Sequence, residues 1–258
     1  MKVFKRLSLF ILCFSLAVAI NSCSDSSTDP GDPPPQEEFN SQQGPGESAE
    51  LYLGDEEYSS LEVELDYMEG YEPTQEAINN LESFLNERLN KNDITINTSE
   101  IPARNDGPYS TDMVTTIEDE ERDNYTEAGT NTLHAYIVVL DGEFNENSNV
   151  LGFAYWNTSM ALFGETINNI SGSGPTDPSQ EQVESTVLRH EVGHNMGLVG
   201  NGTPTQSDHK TDGSAHCTTD ECLMAPSVRT GDIFQNLSGE IPSLDEACIT
   251  DLQANGGK

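Results

Sequence analysis

Basic residues are scarce in this sequence of 258 residues. It contains 11 Lys and Arg against 45 Asp and Glu, which gives a formal net charge of −34 at pH 7. A surface of this sign repels nucleic acid and anionic membranes, so neither is expected as a partner. Long hydrophobic runs are lacking as well, because the apolar stretch at residues 9–20 is too short to cross a bilayer as a helix.

That apolar stretch belongs to a predicted signal peptide, residues 1–22, in which basic residues precede it and small residues follow it. Cys23 comes next in a context that resembles a bacterial lipobox, so it is the predicted lipidation site; an ordinary secretory signal cut nearby is the alternative. Both readings predict an extracytoplasmic protein, periplasmic or at the cell surface, and the lipidated form is expected to contact the membrane only through its lipid. Residues 23–48 are rich in Ser, Pro and Gly and predict a flexible tether. Residues 49–258 are long enough for one domain, expected to be monomeric.

The most informative motif is H-E-x-x-H at residues 190–194, which ends a stretch with helical spacing. On a helix, His190 and His194 lie one turn apart on the same face and can bind one metal ion. Glu191 is placed to act on a metal-bound water without being a ligand itself. Gly197 follows three residues after the second histidine and is expected to end the helix.

A family resemblance extends this interpretation. The segments HEVGHNMG and, further along, HCTTDECLM resemble the archaemetzincins, a branch of the metzincin zinc proteases. The resemblance implies that His190, His194 and His216 bind zinc and that Glu191 is the general base. It also implies that Met224 forms the turn that lies beneath the metal.

The sequence departs from the metzincin pattern at the third ligand. Metzincins place that ligand three residues after the glycine, where this chain has Gly200, which has no side chain to bind metal. The loop at residues 199–215 intervenes before His216, and His209 within this loop is the alternative third ligand. His216 is favoured because a cysteine follows it directly, as in the family. The second cysteine pair of the family, a C-x-x-C, is absent, so one catalytic zinc ion is expected and a structural one is not.

The expected fold class is α+β, a metzincin-like domain with a mixed sheet, an active-site helix and a C-terminal helix. Hydrophobic periodicity supports it. The predicted elements are a strand with one solvated face at Leu61–Tyr67, a helix at Thr74–Asn90, a short strand at Ile94–Ile96, a buried strand at Leu133–Leu140, the active-site helix from Gln180 to Gly197 with Ser179 as its cap, and a last helix at Leu244–Gln253 with Ser243 as its cap. In metzincins an edge strand pairs with the bound peptide, and Gly152, Phe153 and Ala154 are the candidates for that edge.

The cysteines allow a single disulfide. Cys13 leaves with the signal peptide and Cys23 carries lipid, so three remain in an oxidising compartment. Cys217 and Cys222 are the predicted pair because they close a short loop. Pairing of Cys248 with either one is the alternative.

These observations predict a zinc-dependent endopeptidase with peptides or proteins as substrates. Three histidines would hold the ion and Glu191 would take a proton from the attacking water. The alternatives are a non-catalytic surface lipoprotein that binds metal or a partner on a protease-like fold, and a zinc enzyme that acts on a small amide. Glu191 favours catalysis, because a site that only binds needs no base.

Overall fold

The computed structural model describes residues 38–258 except 173, 175, 176 and 236–238. The predicted signal peptide and lipidation site Cys23 lie outside the described residues. The helices are α1 (Ala49–Leu53), α2 (Gln75–Arg88), α3 (Thr111–Glu121), α4 (Gly164–Ile170), α5 (Gln180–Asn195) and α6 (Glu246–Ala254). The strands are β1 (Ser60–Met68), β2 (Asp93–Ile101), β3 (Thr132–Leu140), β4 (Gly152–Trp156) and β5 (Ser159–Phe163). No described helix combines the length and the apolar character needed to cross a bilayer.

The strands form one mixed sheet in the order β2-β1-β3-β5-β4. The first four run parallel, and β4 is antiparallel to β5 at the edge. Buried side chains of α2 and α5 pack on one face of the sheet, and α3 packs on the other. Strand β3 is covered on both faces, which explains why its sequence is almost entirely apolar. The structure confirms the predicted combination of a mixed sheet with a helix that carries H-E-x-x-H and a C-terminal helix.

Strand β1 differs from the prediction of one solvated face. Glu64 is 7 % exposed and Asp66 is 2 % exposed, so both acidic side chains are buried. The Glu64 carboxylate accepts hydrogen bonds from the backbone N–H groups of Asp123 (2.7 Å) and Asn124 (2.9 Å). Asp66 accepts one from the Tyr136 hydroxyl (3.1 Å). The alternating pattern was read correctly as a strand, but the polar face is covered by the segment after α3.

Side-chain caps fix the helix starts. Ser179 Oγ accepts the N–H of Gln182 (3.2 Å) at the start of α5, as predicted. At α6 the cap is Asp245, which accepts the N–H of Cys248 (2.8 Å), and the prediction of Ser243 was wrong. Asp245 occupies the position from which a side chain reaches the N–H three residues on, and Ser243 lies too far upstream for this.

The last part of the predicted tether packs against the domain. Phe39 contacts the main hydrophobic cluster, and Ser48 is 4 % exposed. The fully buried side chain of Asn157 donates to the carbonyl of Asn40 (2.9 Å) and to Ser48 Oγ (2.7 Å). We call residues 39–48 the N-terminal segment. Its polar composition predicts a tether. The bonds that hold it to the domain come from Asn157, more than 100 residues further along, so no local pattern in the sequence shows them.

Candidate metal centre

Helix α5 brings two imidazoles together on one face. His190 and His194 are one turn apart, and their Nε2 atoms lie 3.2 Å from each other. A tetrahedral zinc ion with Zn–N bonds of about 2.0–2.1 Å separates two ligand nitrogens by about 3.3–3.4 Å. His190 is fully buried, so its free nitrogen has no access to bulk water. The pair therefore has the spacing that a shared zinc ion requires.

His216 completes a cluster of three histidines. The candidate ligand atoms of His190, His194 and His216 all lie within 4.8 Å of one another. His216 Nδ1 forms a hydrogen bond with Ser214 Oγ (3.0 Å), whereas its Nε2 is buried without a hydrogen-bond partner. A bound cation would satisfy this orphaned nitrogen. His209, the alternative third ligand, is not part of this cluster; it lies among the cysteines described below.

The protonation of the cluster also suits a metal ion. His190 Nδ1–H donates to the carbonyl of Leu223 (2.7 Å), which leaves its Nε2 with a free lone pair. Burial lowers the pKa of His190 to about 3 and the pKa of His216 to about 4. Burial and the two neighbouring histidines hold the pKa of His194 well below its usual value. All three imidazoles are therefore neutral near pH 7, as metal ligation requires.

Glu191 lies beside the cluster with its carboxylate already oriented. Its Oε2 accepts the backbone N–H of Ala154 (3.0 Å) in strand β4. The side chain is 2 % exposed, and this burial raises its pKa to about 8, against the opposing effects of the Ala154 N–H and Arg229. Because burial destabilises the charged form, the Glu191 carboxylate binds a proton more tightly than a carboxylate in water and is therefore a stronger base.

Met224 packs directly beneath α5. Its side chain is fully buried. A Cβ atom added at Gly193, which lies between the two helix histidines, would come within 2.5 Å of Met224 Sδ. The glycine in H-E-V-G-H therefore makes room for the methionine. The family resemblance implies that Met224 forms a turn beneath the metal, and in the structure its side chain lies against the helix that carries His190 and His194.

Strand β4 forms one wall of an open cleft in front of the histidines. The cleft has a volume of about 390 Å³, and Gly152, Phe153 and Ala154 all line it. A Cβ at Gly152 would meet Val187 Cγ1 at 2.8 Å and a carbonyl oxygen at 2.9 Å, so glycine permits the close approach of the strand to α5. The three residues predicted from the sequence as the substrate edge thus lie on an edge strand beside the cluster.

Sequence reasoning missed other residues of the cleft, among them Arg229 and Pro45. Arg229 is exposed and is the only Lys or Arg among the described residues that line the cleft. Arg229 lies five residues after Met224 in the sequence, but no local sequence pattern shows that this loop returns to the cleft. Pro45 of the N-terminal segment also lines it, although composition assigned that residue to the tether.

The three cysteines of the domain are free thiols, so the structure does not contain the predicted disulfide between Cys217 and Cys222. Cys222 Sγ lies 3.6 Å from Cys248 Sγ. Cys217 Sγ instead lies 3.5 Å from His209 Nδ1 and 3.2 Å from Asp245 Oδ2. The short loop between Cys217 and Cys222 directs the two thiols toward the same buried cluster without joining them.

Comparison with known proteins bears on the fold. No protein-family model matches the chain, and neither does any curated protein. Among solved structures, archaemetzincin from Methanopyrus kandleri is similar with a TM-score of 0.51 and 16 % sequence identity. The match covers 76 % of this chain and 96 % of that one. The chain therefore has an archaemetzincin-like fold, built on a five-stranded mixed sheet.

Proposed function

We propose that this protein is a zinc-dependent endopeptidase in which His190, His194 and His216 bind the ion and Glu191 is the general base. The observation that carries the proposal is the cluster of three neutral imidazoles at zinc-ligand spacing, with a buried carboxylate beside it and an open cleft in front. The fold supports this proposal, because the similar solved structure is an archaemetzincin and the archaemetzincins are a branch of the metzincin zinc proteases.

The residues have separate tasks in the proposed reaction. A zinc ion held by the three histidines supplies the Lewis acid that makes water nucleophilic near neutral pH. Glu191 accepts the proton of the attacking water and returns it to the leaving nitrogen of the peptide. The N–H of Ala154 holds the Glu191 carboxylate in place and so fixes where that proton is taken up.

The proposed substrate is an extended peptide that binds along β4. This strand pairs with β5 on one side and forms the sheet edge on the other, next to the cleft. A peptide added to that edge would form backbone hydrogen bonds and carry its carbonyl group toward the histidines. Arg229 lies in the same cleft, where it would bind a carboxylate of the substrate.

Replacement of Glu191 by Gln tests the mechanism. The variant is expected to retain the zinc content of the wild type and to lose hydrolysis of a peptide library. Glu181→Gln is the matched control, because it makes the same change on the same helix ten residues away from the base. Hydrolysis by Glu191→Gln at the wild-type rate would refute the mechanism. Zinc binding without any peptide cleavage would favour the metal- or partner-binding lipoprotein, and cleavage of simple amides alone would favour the small-amide enzyme.

We further propose that the protein is a monomeric, extracytoplasmic lipoprotein anchored through Cys23. The signal-like N-terminus and the cysteine context support this location. Metabolic labelling with a radioactive fatty acid should mark the wild type and leave Cys23→Ser unlabelled. Label in both proteins, or in neither, would contradict the anchor.

A further inference from the structure

A second cluster of potential metal ligands lies apart from the three histidines. It consists of His209, Cys217, Cys222 and Cys248, which are all at most 5 % exposed. His209 Nδ1 is 3.5 Å from Cys217 Sγ and 3.9 Å from Cys248 Sγ, and the sulfurs of Cys222 and Cys248 are 3.6 Å apart. A tetrahedral zinc ion with Zn–S of about 2.3 Å and Zn–N of about 2.0–2.1 Å spaces its ligand atoms by about 3.5–3.8 Å. The three distances are close to this spacing, and the ligand atoms of His209, Cys217 and Cys248 lie within 4.8 Å of one another together with a carboxylate oxygen of Asp245.

Backbone N–H groups point at two of the sulfurs. The N–H of Thr219 lies 3.4 Å from Cys217 Sγ. The N–H groups of Met224 and Asp245 each lie 3.4 Å from Cys222 Sγ. Hydrogen bonds of this kind favour the thiolate over the thiol, and the thiolate is the form that binds metal. Disulfide sulfurs carry no such charge, so the donors fit a metal site better than a covalent pair.

The histidine of the cluster is oriented by a carboxylate. His209 Nε2–H donates to Asp251 Oδ2 (2.7 Å), so the lone pair of Nδ1 faces the cysteines. Asp251 is 1 % exposed, and its other oxygen accepts the N–H of Gln206 (2.6 Å) from the same loop. A carboxylate behind an imidazole is the usual outer partner of a metal-binding histidine. Helix α6 thus holds the 199–215 loop in the position that delivers His209.

We propose that His209, Cys217, Cys222 and Cys248 bind a second zinc ion in a closed structural site. The missing C-x-x-C led us to expect no such ion, but the inserted loop supplies a histidine that completes the ligand set. Four protein ligands leave no open position, so the ion would not take part in hydrolysis. Asp245 also lies in the cluster. We leave it out of the ligand set because its Oδ1 caps α6 by accepting the N–H of Cys248, and its Oδ2 accepts a hydrogen bond from the Cys217 thiol (3.2 Å).

The proposed ion has a clear consequence for the first site. His216 directly precedes Cys217, and Met224 follows Cys222 by two residues. Binding at the two cysteines would therefore fix both the third histidine and the turn beneath α5. The second ion is inferred from the distances among His209 and the cysteines, so the inference holds whether or not the protein hydrolyses peptides.

Metal content and cobalt spectra of the full-length protein test the proposal. The wild type should bind two zinc ions per chain, and its cobalt form should show thiolate-to-cobalt charge-transfer absorption. His194→Ala should lose one ion and keep that absorption. Cys248→Ser and His209→Ala should each lose one ion and weaken the absorption, whereas Asp245→Asn, which keeps the cap, should retain two ions.

Three results would overturn the second site. They are a single ion per chain in the wild type that is lost in His194→Ala, a cobalt form without thiolate absorption, and a peptide map that shows a disulfide between Cys222 and Cys248. The wild-type spectrum decides the matter even if a cysteine variant fails to fold. If peptide hydrolysis is absent while two ions and the thiolate absorption are present, the proposed activity fails and the second site stands.

Discussion

The contact between Gly193 and Met224 gives a quantitative prediction about α5. Alanine at position 193 would favour the helix by about 1 kcal/mol over glycine. Its Cβ, however, would lie 2.5 Å from Met224 Sδ and 3.2 Å from Met224 Cε, inside normal contact distance. Overpacking of a core costs about 1–3 kcal/mol. We therefore expect Gly193→Ala to lower the free energy of unfolding by about 1 kcal/mol, although alanine is the better helix former.

A second background isolates this contact. Met224→Ala removes both atoms that would clash; it costs about 2–5 kcal/mol itself, within the stability of a typical domain. In that background, Gly193→Ala should raise the free energy of unfolding by up to about 1 kcal/mol. Urea denaturation of all four metal-free proteins measures the coupling between the two positions, expected at about 1–3 kcal/mol. An equal effect of Gly193→Ala in both backgrounds would refute the packing argument.

Further predictions concern the cleft, the buried carboxylate, the N-terminal segment and the metal. Arg229→Ala should lower kcat/KM about tenfold more for a peptide with an acidic side chain than for its amide analogue, equivalent to about 1.4 kcal/mol, and Arg229→Lys should recover part of this; equal losses for both peptides would contradict carboxylate binding. Burial and the nearby acidic Glu64 raise the pKa of Asp66 to about 6. The folded state then binds a proton more tightly than the unfolded chain, and stability falls as pH rises from about 4 to 6. Asp66→Asn should therefore raise the free energy of unfolding by about 2 kcal/mol at neutral pH and by little below about pH 4, as urea denaturation at both pH values would show. Asn157→Ala should cost about 1–3 kcal/mol, because it removes buried hydrogen bonds, and should speed proteolysis within residues 39–48; unchanged cleavage there would argue against the anchoring role. Removal of metal by a chelator should abolish hydrolysis, and zinc should restore it.

Local signals in the sequence predicted much of the fold. Apolar spacing gave α2 and β3 nearly to their observed ends, and Ser179 marked the start of α5. Each of these features depends on residues close together in the chain. Glu64 and Asp66 were misread because alternation shows a strand but not what covers its polar face. That cover comes from residues about 60 positions away, as in the bond from Asn124 to Glu64.

The candidate site also has one part that local sequence signals predict and another part that depends on distant residues. H-E-x-x-H was readable because helix geometry alone brings His190 and His194 together. The third histidine required the fold, since the sequence left His209 and His216 as alternatives. His209 is held by Asp251, 42 residues further along, which explains why the second cluster had no local signature. The spacing of Cys217 and Cys222 suggested a disulfide, and only the tertiary structure shows the imidazole of His209 beside Cys217 and Cys248.

The most direct test of the account is anomalous scattering at the zinc absorption edge, measured on crystals of the zinc-loaded protein. The account predicts a peak within bonding distance of His190 Nε2, His194 Nε2 and His216, on the cleft side of Glu191. A separate peak at His209 and the cysteines would support the second site. Absence of a peak at the three histidines, or a single ion bound by His190, His194 and His209, would contradict the central claim.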